Sequence, residues 1–413
     1  MRCLFIHQNF PGQFKFWAAE LSARPNTQVT GLGDAENLGT RVGQFAYPVF
    51  GYRVRPPKKS GAHHYLTSFE TAIRRGQDVV RACQQMRAKG FVPDLIVGHP
   101  AWGELLFVKD VFPAARLIAY FEFFYGAEGR DVGFDPEFPL QADARYKLRI
   151  RNSTQLQALA ACDAGISPTH WQRSTYPGHE QSRIRVIHEG LDLDVLRFNP
   201  DARFLLPDGK ALSRKEQVVT YVSRQLEPYR GFHVFMRALP DLQKRLPDAR
   251  FVIVGANGVS YGAPPPKPYK SYREMLLAEV GDRLDLGRTH FVGRIPYRDY
   301  ISLLQISKLH IYLTYPFVLS WSMLEAMACG APILGSATPP VEEVVRDGEN
   351  GFLFDFFDRE QLVGRAVDIL RRDIEPVRKR ARQDIEAGYS YREHSSPAYR
   401  QLLNDVMSSR DRQ

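Results

Sequence analysis

Two arginines stand close together in Tyr221-Val222-Ser223-Arg224-Gln225-Leu226-Glu227-Pro228-Tyr229-Arg230-Gly231-Phe232. A strand-like apolar run delivers Arg224, and a short turn presents Arg230 beside Gly231 where a helix begins. Two cations and the open amides of a helix start converge there, the arrangement that stabilises a diphosphate. A second segment, Thr314-Tyr315-Pro316-Phe317-Val318-Leu319-Ser320-Trp321-Ser322-Met323-Leu324-Glu325-Ala326, opens another helix behind Ser320 and Ser322. Its first turns offer unpaired N–H groups to phosphate. Glu325 lies on that helix and can accept two hydroxyl hydrogen bonds, as a ribose diol supplies. Its apolar neighbours imply burial, and a buried carboxylate needs a partner.

The first half holds different chemistry. In Asp94-Leu95-Ile96-Val97-Gly98-His99-Pro100-Ala101-Trp102-Gly103-Glu104, His99 falls at the carboxyl end of a parallel strand, with Trp102 close behind. Open α/β sheets bind ligands in the crevice at that edge, which His99 is expected to face. The stretch Tyr120-Phe121-Glu122-Phe123-Phe124-Tyr125-Gly126 is dense in aromatics beside a carboxylate. Aromatic faces with hydrogen-bonding acids suit a saccharide, so Glu122 and Tyr125 are candidate sugar contacts. In Gln8-Asn9-Phe10-Pro11-Gly12-Gln13-Phe14, just after the first strand, Gly12 lets backbone approach a ligand, with Asn9 as a further candidate contact.

The elements that must position these residues alternate between short apolar runs and amphipathic stretches. In the first half these are 4–7, 14–22, 95–98, 117–121, 146–161 and 164–167. In the second they are 218–222, 231–245, 250–254, 274–280, 290–292, 297–305, 309–313, 322–329 and 332–334. That alternation predicts βα units around mostly parallel sheets, and 413 residues suit two such domains. Turn formers from Phe198-Asn199-Pro200-Asp201 to Pro207-Asp208-Gly209-Lys210 place the boundary near 199–213. A loose stretch at 258–272, containing Gly262-Ala263-Pro264-Pro265-Pro266-Lys267-Pro268, reads as a surface loop or lid.

Composition narrows the partners. Hydrophobic residues at 44% and charged residues at 24% describe a globular protein rather than a disordered one. A net charge of +9 suits a nucleotide diphosphate, a lipid phosphate or an acidic bilayer, and no nucleic-acid module signature accompanies it. No apolar run approaches the roughly 20 residues of a membrane helix. The first residues enter a strand-like run without a signal peptide's apolar region, so a cytoplasmic location is expected. Cys3, Cys83, Cys162 and Cys329 are scattered, without CxxC spacing, and are expected to be buried free thiols.

These motifs, in this order, resemble the retaining glycosyltransferases of family four, the group 1 glycosyltransferases, over nearly the whole chain. The resemblance implies the α/β fold called GT-B, two facing Rossmann-like domains with parallel sheets and a C-terminal segment returning to the first. The expected division is 1–200, an acceptor-side domain, 201–390, a nucleotide-sugar domain, and 391–413, the returning helix. It further implies a metal-independent transfer of a sugar from a UDP-, GDP- or similar sugar to a saccharide or lipid-linked acceptor, with no cofactor. Arg224 and Arg230 match the family's basic pair and Glu325 its ribose-binding glutamate. His290-Phe291-Val292-Gly293-Arg294-Ile295 matches the base-binding turn, where backbone at Arg294 and Ile295 holds the nucleobase. Leu319, Ser320, Trp321 and Ser322 complete the donor side with Gly12. His99, with the two arginines, forms the catalytic set. Val186-Ile187-His188-Glu189-Gly190-Leu191-Asp192 matches the interdomain signature.

One position departs from the pattern. Where the family has a first glutamate eight residues before the second, this chain has Phe317, either a face for stacking on a sugar or a core aromatic. The departure keeps a second reading in play, a sugar-nucleotide-binding protein without turnover, beside a third, an inverting GT-B enzyme or epimerase. Asp192-Leu193-Asp194 and His63-His64 lack metal-site context. The basic stretch Arg53-Val54-Arg55-Pro56-Pro57-Lys58-Lys59, with His63-His64 and Arg74-Arg75, is expected to dock the first domain on an anionic inner membrane face.

Overall fold

The computed structural model describes residues 1–54, 61, 63–140 and 142–408, with the backbone alone of Val42. The chain divides into two compact units, Met1–Gly190 with Tyr391–Gln413, and Leu191–Ser390. The first unit is built on seven parallel strands: β1 (Arg2–Ile6), β2 (Gln28–Asp34), β3 (Val49–Tyr52), β4 (Leu95–Gly98), β5 (Arg116–Tyr120), β6 (Ala164–Ser167) and β7 (Ile184–Val186). They lie in the order β3-β2-β1-β4-β5-β6-β7. The second unit begins with an antiparallel pair, β8 (Arg203–Leu205) and β9 (Ala211–Ser213). It continues as six parallel strands: β10 (Gln217–Gln225), β11 (Ala249–Ala256), β12 (Thr289–Gly293), β13 (Leu309–Tyr312), β14 (Ile333–Ser336) and β15 (Phe352–Phe354). Their order is β12-β11-β10-β13-β14-β15.

Central strands read as continuous apolar runs because helices cover both sheet faces. Leu4, Ile6, Ile96 and Leu117 enter one core of the first unit, and Cys3, Phe5, Val97 and Ile118 the other. In each unit the strand order reverses beside its first strand, opening a gap between β1 and β4 and between β10 and β13. Connections leave such a gap toward opposite faces, so the strand ends there are uncovered.

Two expectations need correction. The second unit starts at Leu191, not 201, because Leu191 and Leu196 are buried in its core with Met323, Leu324, Met327 and Ile385. The helix expected at 146–161 is two, Ala144–Arg151 and Ser153–Ala161, parted at Asn152. The Asn152 side chain turns onto the backbone of Tyr125, accepting from its N–H at 3.0 Å and donating to its carbonyl at 2.8 Å. The long helix Thr67–Ala88 and strands β2 and β3 are additional elements of the first unit. All four cysteines are free and buried, and burial pushes the thiols of Cys3, Cys83 and Cys329 up to about 12. Among the described residues, no helix is long and apolar enough to cross a membrane.

The chain ends on the first unit's own core. In the helix Ser396–Ser408, Tyr399 stacks on Trp17 with centroids 4.4 Å apart, and Leu402, Leu403 and Val406 are buried beside it. The carboxylate of Glu20 ties this segment down. Its Oε2 accepts from the Tyr391 hydroxyl at 2.7 Å and from Ser396 at 2.6 Å, while Oε1 accepts from Arg24 at 2.6 Å and Arg400 at 2.9 Å. Burial alone would raise this carboxyl, but the hydrogen bonds from Ser396, Tyr391 and the arginines outweigh it and hold it down at about 2. A depressed folded-state pKa adds stability above the ordinary glutamate value, which is lost as pH falls toward the folded value. Hydrogen exchange between pH about 4.5 and 2 should therefore show residues 396–408 losing protection before the sheet, and Glu20→Ala should produce that exposure already at neutral pH. Equal protection of the helix and the sheet in both cases contradicts this role for Glu20.

Candidate functional site

In the second unit the expected donor residues gather at the β10–β13 gap. The pairing of β10 with β11 slips between Val222 and Gln225, a bulge-like irregularity that re-aims side chains. Arg224 sits in that irregularity, exposed, and makes no ion pair among the described residues. A short turn, Pro228–Arg230, then reaches Gly231, whose φ of 64° is left-handed and whose Cβ would collide with Leu313 at 2.3 Å. Only glycine lets β13's exit pass so close to the start of the helix Phe232–Arg245.

Arg230 is braced from inside. Its NH1 donates to Thr314 Oγ1 at 2.8 Å and to the Val318 carbonyl at 2.9 Å. Thr314 is held in turn by Ser336 Oγ, which accepts from its N–H at 3.1 Å, and by Thr338, which donates to its carbonyl at 3.2 Å. Buried Glu227 lies near both arginines, and its Oε2 accepts from the amides of Ser260 and Tyr261, each at 2.9 Å. Burial pushes the Glu227 carboxyl up, while those amides and the charges of Arg230 and Arg224 pull it down.

The helix Trp321–Ala328 starts beside this point, capped by Ser320, whose Oγ accepts from Ser322 N at 3.4 Å. Ser320 N–H donates to the Tyr312 hydroxyl at 2.9 Å, Leu319 packs against the core, and Trp321 is exposed. Glu325 is buried with its partner inside the chain: Oε1 accepts from Tyr297 at 2.8 Å and Oε2 from Tyr300 at 2.7 Å. The two phenols hold the carboxylate in place on its helix. Tyr297 follows the β12 turn, where Arg294 is exposed and Ile295 half-buried.

Phe317 is a core aromatic, 2% exposed. Its ring packs on Tyr261 at 4.7 Å and Tyr229 at 5.5 Å, so the face that sequence offered for stacking on a sugar is already covered.

The first unit gathers a second group at the β1–β4 gap. His7, at the end of β1, and His99, at the end of β4, meet edge to face with centroids 5.4 Å apart. His7 Nδ1 accepts from Asn9 N–H at 2.9 Å and His99 Nδ1 from Ala101 N–H at 3.2 Å. A nitrogen that accepts carries no proton, so each neutral ring is protonated on Nε2. Burial, then the nearby His99, push the His7 pKa far down and keep it neutral. Gly12, at φ 51°, lies over the His7 ring so closely that a Cβ would come within 2.6 Å of it.

His99 is fully buried, stacked on Trp102 at 4.2 Å, and does not face the crevice as expected. Its Nε2 lies 3.5 Å from Glu122 Oε2, and Gln13 donates to Oε1 of the same carboxylate at 2.9 Å. Glu122 is only partly buried, so of this pair the carboxylate is the group that reaches the surface. Tyr125 is held by Arg151, which donates to its hydroxyl at 2.9 Å and lies over its ring. Of the basic stretch, residues 55–59 lie outside the described residues. Arg74 pairs with Glu70 at 2.5 Å and Arg75 points to the Trp102 carbonyl at 3.4 Å, so neither adds an open surface charge.

Sequence reasoning missed His7, Gln13, Glu227, Thr314, Tyr297 and Tyr300. Tyr297 and Tyr300 stood three apart on an expected helix, a spacing that puts both hydroxyls on one face. Nothing in the sequence paired them with Glu325.

A family model described as Glycosyl transferase family 4 group matches residues 28–196, and one described as Glycosyl transferases group 1 matches residues 207–389. The chain belongs to the group 1 glycosyltransferases of family four. Among its group 1 relatives, the D-inositol 3-phosphate glycosyltransferase of Mycobacterium sp. (strain KMS) is 28% identical over 232 residues, covering 55% of this chain and 46% of that protein. The protein of the same name from Mycobacterium tuberculosis (strain F11) is 27% identical over 243 residues, covering 57% and 47%. The chain thus spans about half the length of the curated relatives it matches. Two solved structures share the fold at 16% identity, each covering 98% of this chain and 100% of its own: Anabaena HepE in complex with UDP-glucose, TM-score 0.68, and sucrose-phosphate synthase from Thermosynechococcus elongatus, TM-score 0.71. The two Rossmann-like units are those of the GT-B fold.

In this group 1 chain, Glu325→Gln should weaken ribonucleotide binding by on the order of 1–3 kcal/mol, the cost of a poorly matched charged acceptor. It should barely change the affinity of 2′,3′-dideoxy analogues. Calorimetric titration with both ligand types checks this, and equal losses reduce Glu325 to a structural partner of Tyr297 and Tyr300.

Proposed function

We propose that this chain transfers a glycosyl unit from a nucleoside diphosphate sugar to a hydroxyl group, without a metal ion and with retention at the anomeric carbon. The observation that carries the reading is the cation pair at the β10–β13 gap, with Arg230 braced by Thr314 and Val318 and Arg224 exposed beside it. Cleavage of the bond from the anomeric carbon to phosphate builds negative charge on the departing diphosphate. These guanidinium groups and the amides near Ser322 stabilise that charge in advance. The acceptor oxygen bonds to the same face of the carbon, and its proton passes to a phosphate oxygen, so no side-chain nucleophile is needed.

Glu325 takes the ribose, and backbone near Arg294 and Ile295 takes the base. Uracil is the favoured base, since HepE binds UDP and UDP-glucose. On the acceptor side Glu122 receives the sugar hydroxyl, oriented by His99 and Gln13, with Asn9, Trp102 and Tyr125 around it. This reading suits a saccharide or lipid-linked saccharide acceptor in polysaccharide or glycolipid synthesis. A second reading, binding without turnover, is favoured by Phe317, and failure to hydrolyse or transfer any nucleotide sugar that binds would select it.

Arg224→Ala or Arg230→Ala should weaken UDP binding at least tenfold while changing uridine binding little, with the wild-type affinity unaltered by EDTA. Equal losses for UDP and uridine, or binding abolished by EDTA, defeat the phosphate assignment.

A lipid-borne acceptor also requires a surface contact. The helix Ala144–Arg151 has no buried residue and exposes Arg145, Lys147, Arg149 and Arg151, with like charges at i and i+4 that the pairing of Arg145 with Glu128 at 3.4 Å and the seat of Arg151 on Tyr125 relieve only in part. An anionic bilayer relieves that repulsion and gains about 1 kcal/mol per cation. Co-sedimentation should favour vesicles containing phosphatidylserine over neutral ones, and high salt or charge reversal at Lys147 and Arg149 should abolish it. Binding indifferent to lipid charge and salt removes the membrane from this proposal.

A further inference from the structure

The segment from Gly258 to the helix Tyr272–Val280 has the composition of a mobile surface loop, yet it is pinned to the donor side at several points. Gln225 Oε1 accepts from the Gly258 amide at 2.9 Å. Glu227, 1% exposed, accepts from two successive amides, Ser260 and Tyr261, through a single oxygen. At the far end the buried Tyr272 donates to the Ala263 carbonyl at 2.9 Å. A buried carboxylate is costly unless well partnered, so its use as an anchor for loop amides fixes where the loop runs.

The residue fixed is Tyr261. Its half-buried ring lies 4.7 Å from Phe317 and 5.8 Å from Tyr229, and the Arg230 guanidinium stands 6.0 Å from its centroid. A phosphate on Arg230 therefore has an aromatic wall beside it. Phe317 backs that wall from the core and offers no hydrogen-bond acceptor. An arene accepts the C–H face of a pyranose rather than its hydroxyl edge.

We infer that Tyr261 is the specificity-determining wall for the group carried on the diphosphate, taking its C–H face, and that Glu227 is the positioning residue that holds Tyr261 there. The inference rests on the assignment of Arg230 to the donor phosphates. Glu227 does not touch the donor, and its effect passes through the loop.

The test measures dissociation constants for UDP, UDP-glucose, UDP-N-acetylglucosamine, GDP and GDP-mannose on the whole chain, and follows the tightest nucleotide sugar with its matching diphosphate. Tyr261→Ala should weaken the nucleotide sugar about five- to tenfold, the scale of an aromatic contact, and the bare diphosphate less than twofold. Glu227→Ala should reproduce that split and expose the amides of Ser260 and Tyr261 to hydrogen exchange. Glu227→Gln should restore the wild-type ratio, because its amide oxygen can accept both N–H groups. Equal losses on sugar and diphosphate in Tyr261→Ala, or a wild-type ratio in Glu227→Ala, overturn the inference. Should Glu227→Ala not fold, Tyr261→Ala decides, with Tyr261→Leu, which keeps cover over Phe317 but removes the arene, expected to show the same split. A wild type that binds none of these nucleotides fails at the earlier step, the phosphate assignment, and takes this inference with it.

Discussion

A parallel sheet whose strand order reverses beside its first strand leaves two strand ends uncovered, because their connections depart toward opposite faces. Both units have that reversal, and each places its charged and imidazole side chains at it. At β10 and β13 the uncovered ends carry Arg224, Arg230 and Thr314, and at β1 and β4 they carry His7 and His99. The topology therefore precedes the chemistry. Once the gap exists, whatever follows each strand within a few residues lies together, however far apart in sequence.

What keeps the cations available is how the acids are satisfied. Near them Glu325 takes hydroxyls from Tyr297 and Tyr300 and Glu227 takes backbone amides; in the first unit, likewise, Tyr52 donates to Glu104 at 3.0 Å and Tyr120 to Glu189. Burial raises these phenols well above their ordinary value, so each remains a donor across the working pH range. A buried carboxylate held by neutral donors needs no arginine. Arg224 and Arg230 are left without a carboxylate salt bridge, and Glu227 only tempers their field from nearby.

The two gaps are built differently. The arginine site is braced from inside by a buried network of Thr314, Ser336 and Thr338, with its cations half-buried or exposed. The histidine site is closed, with both rings buried and protonated on Nε2 by backbone donors to Nδ1, and with Glu122 and Trp102 as its partly exposed members. A closed imidazole cannot accept a substrate directly, but it can orient a carboxylate that does.

Much of this was legible in the sequence where physics is local. Apolar runs such as Phe251-Val252-Ile253-Val254, the turn at Gly231, the cap at Ser320 and the arginines in their strand-turn-helix setting follow from short-range sterics and hydrogen bonding. The scattered buried thiols followed from their apolar flanks. Strands β2 and β3 were not legible, because Gln28–Asp34 and Val49–Tyr52 contain three glycines that would weaken an isolated strand. They stand because neighbours fill the space, as Phe10 does against Gly31 and Gly33. The same holds for the break at Asn152, for Phe317 as core rather than ligand surface, for Leu191 as the start of the second unit, and for the phenols on Glu325. The sequence by itself determined most elements of the second unit, the cap at Ser320 and which residue types could bind phosphate, since these depend on neighbours a few residues away. Only the tertiary structure decided which side chains are closed off and which partner each buried charge takes, because those depend on contacts between segments tens or hundreds of residues apart.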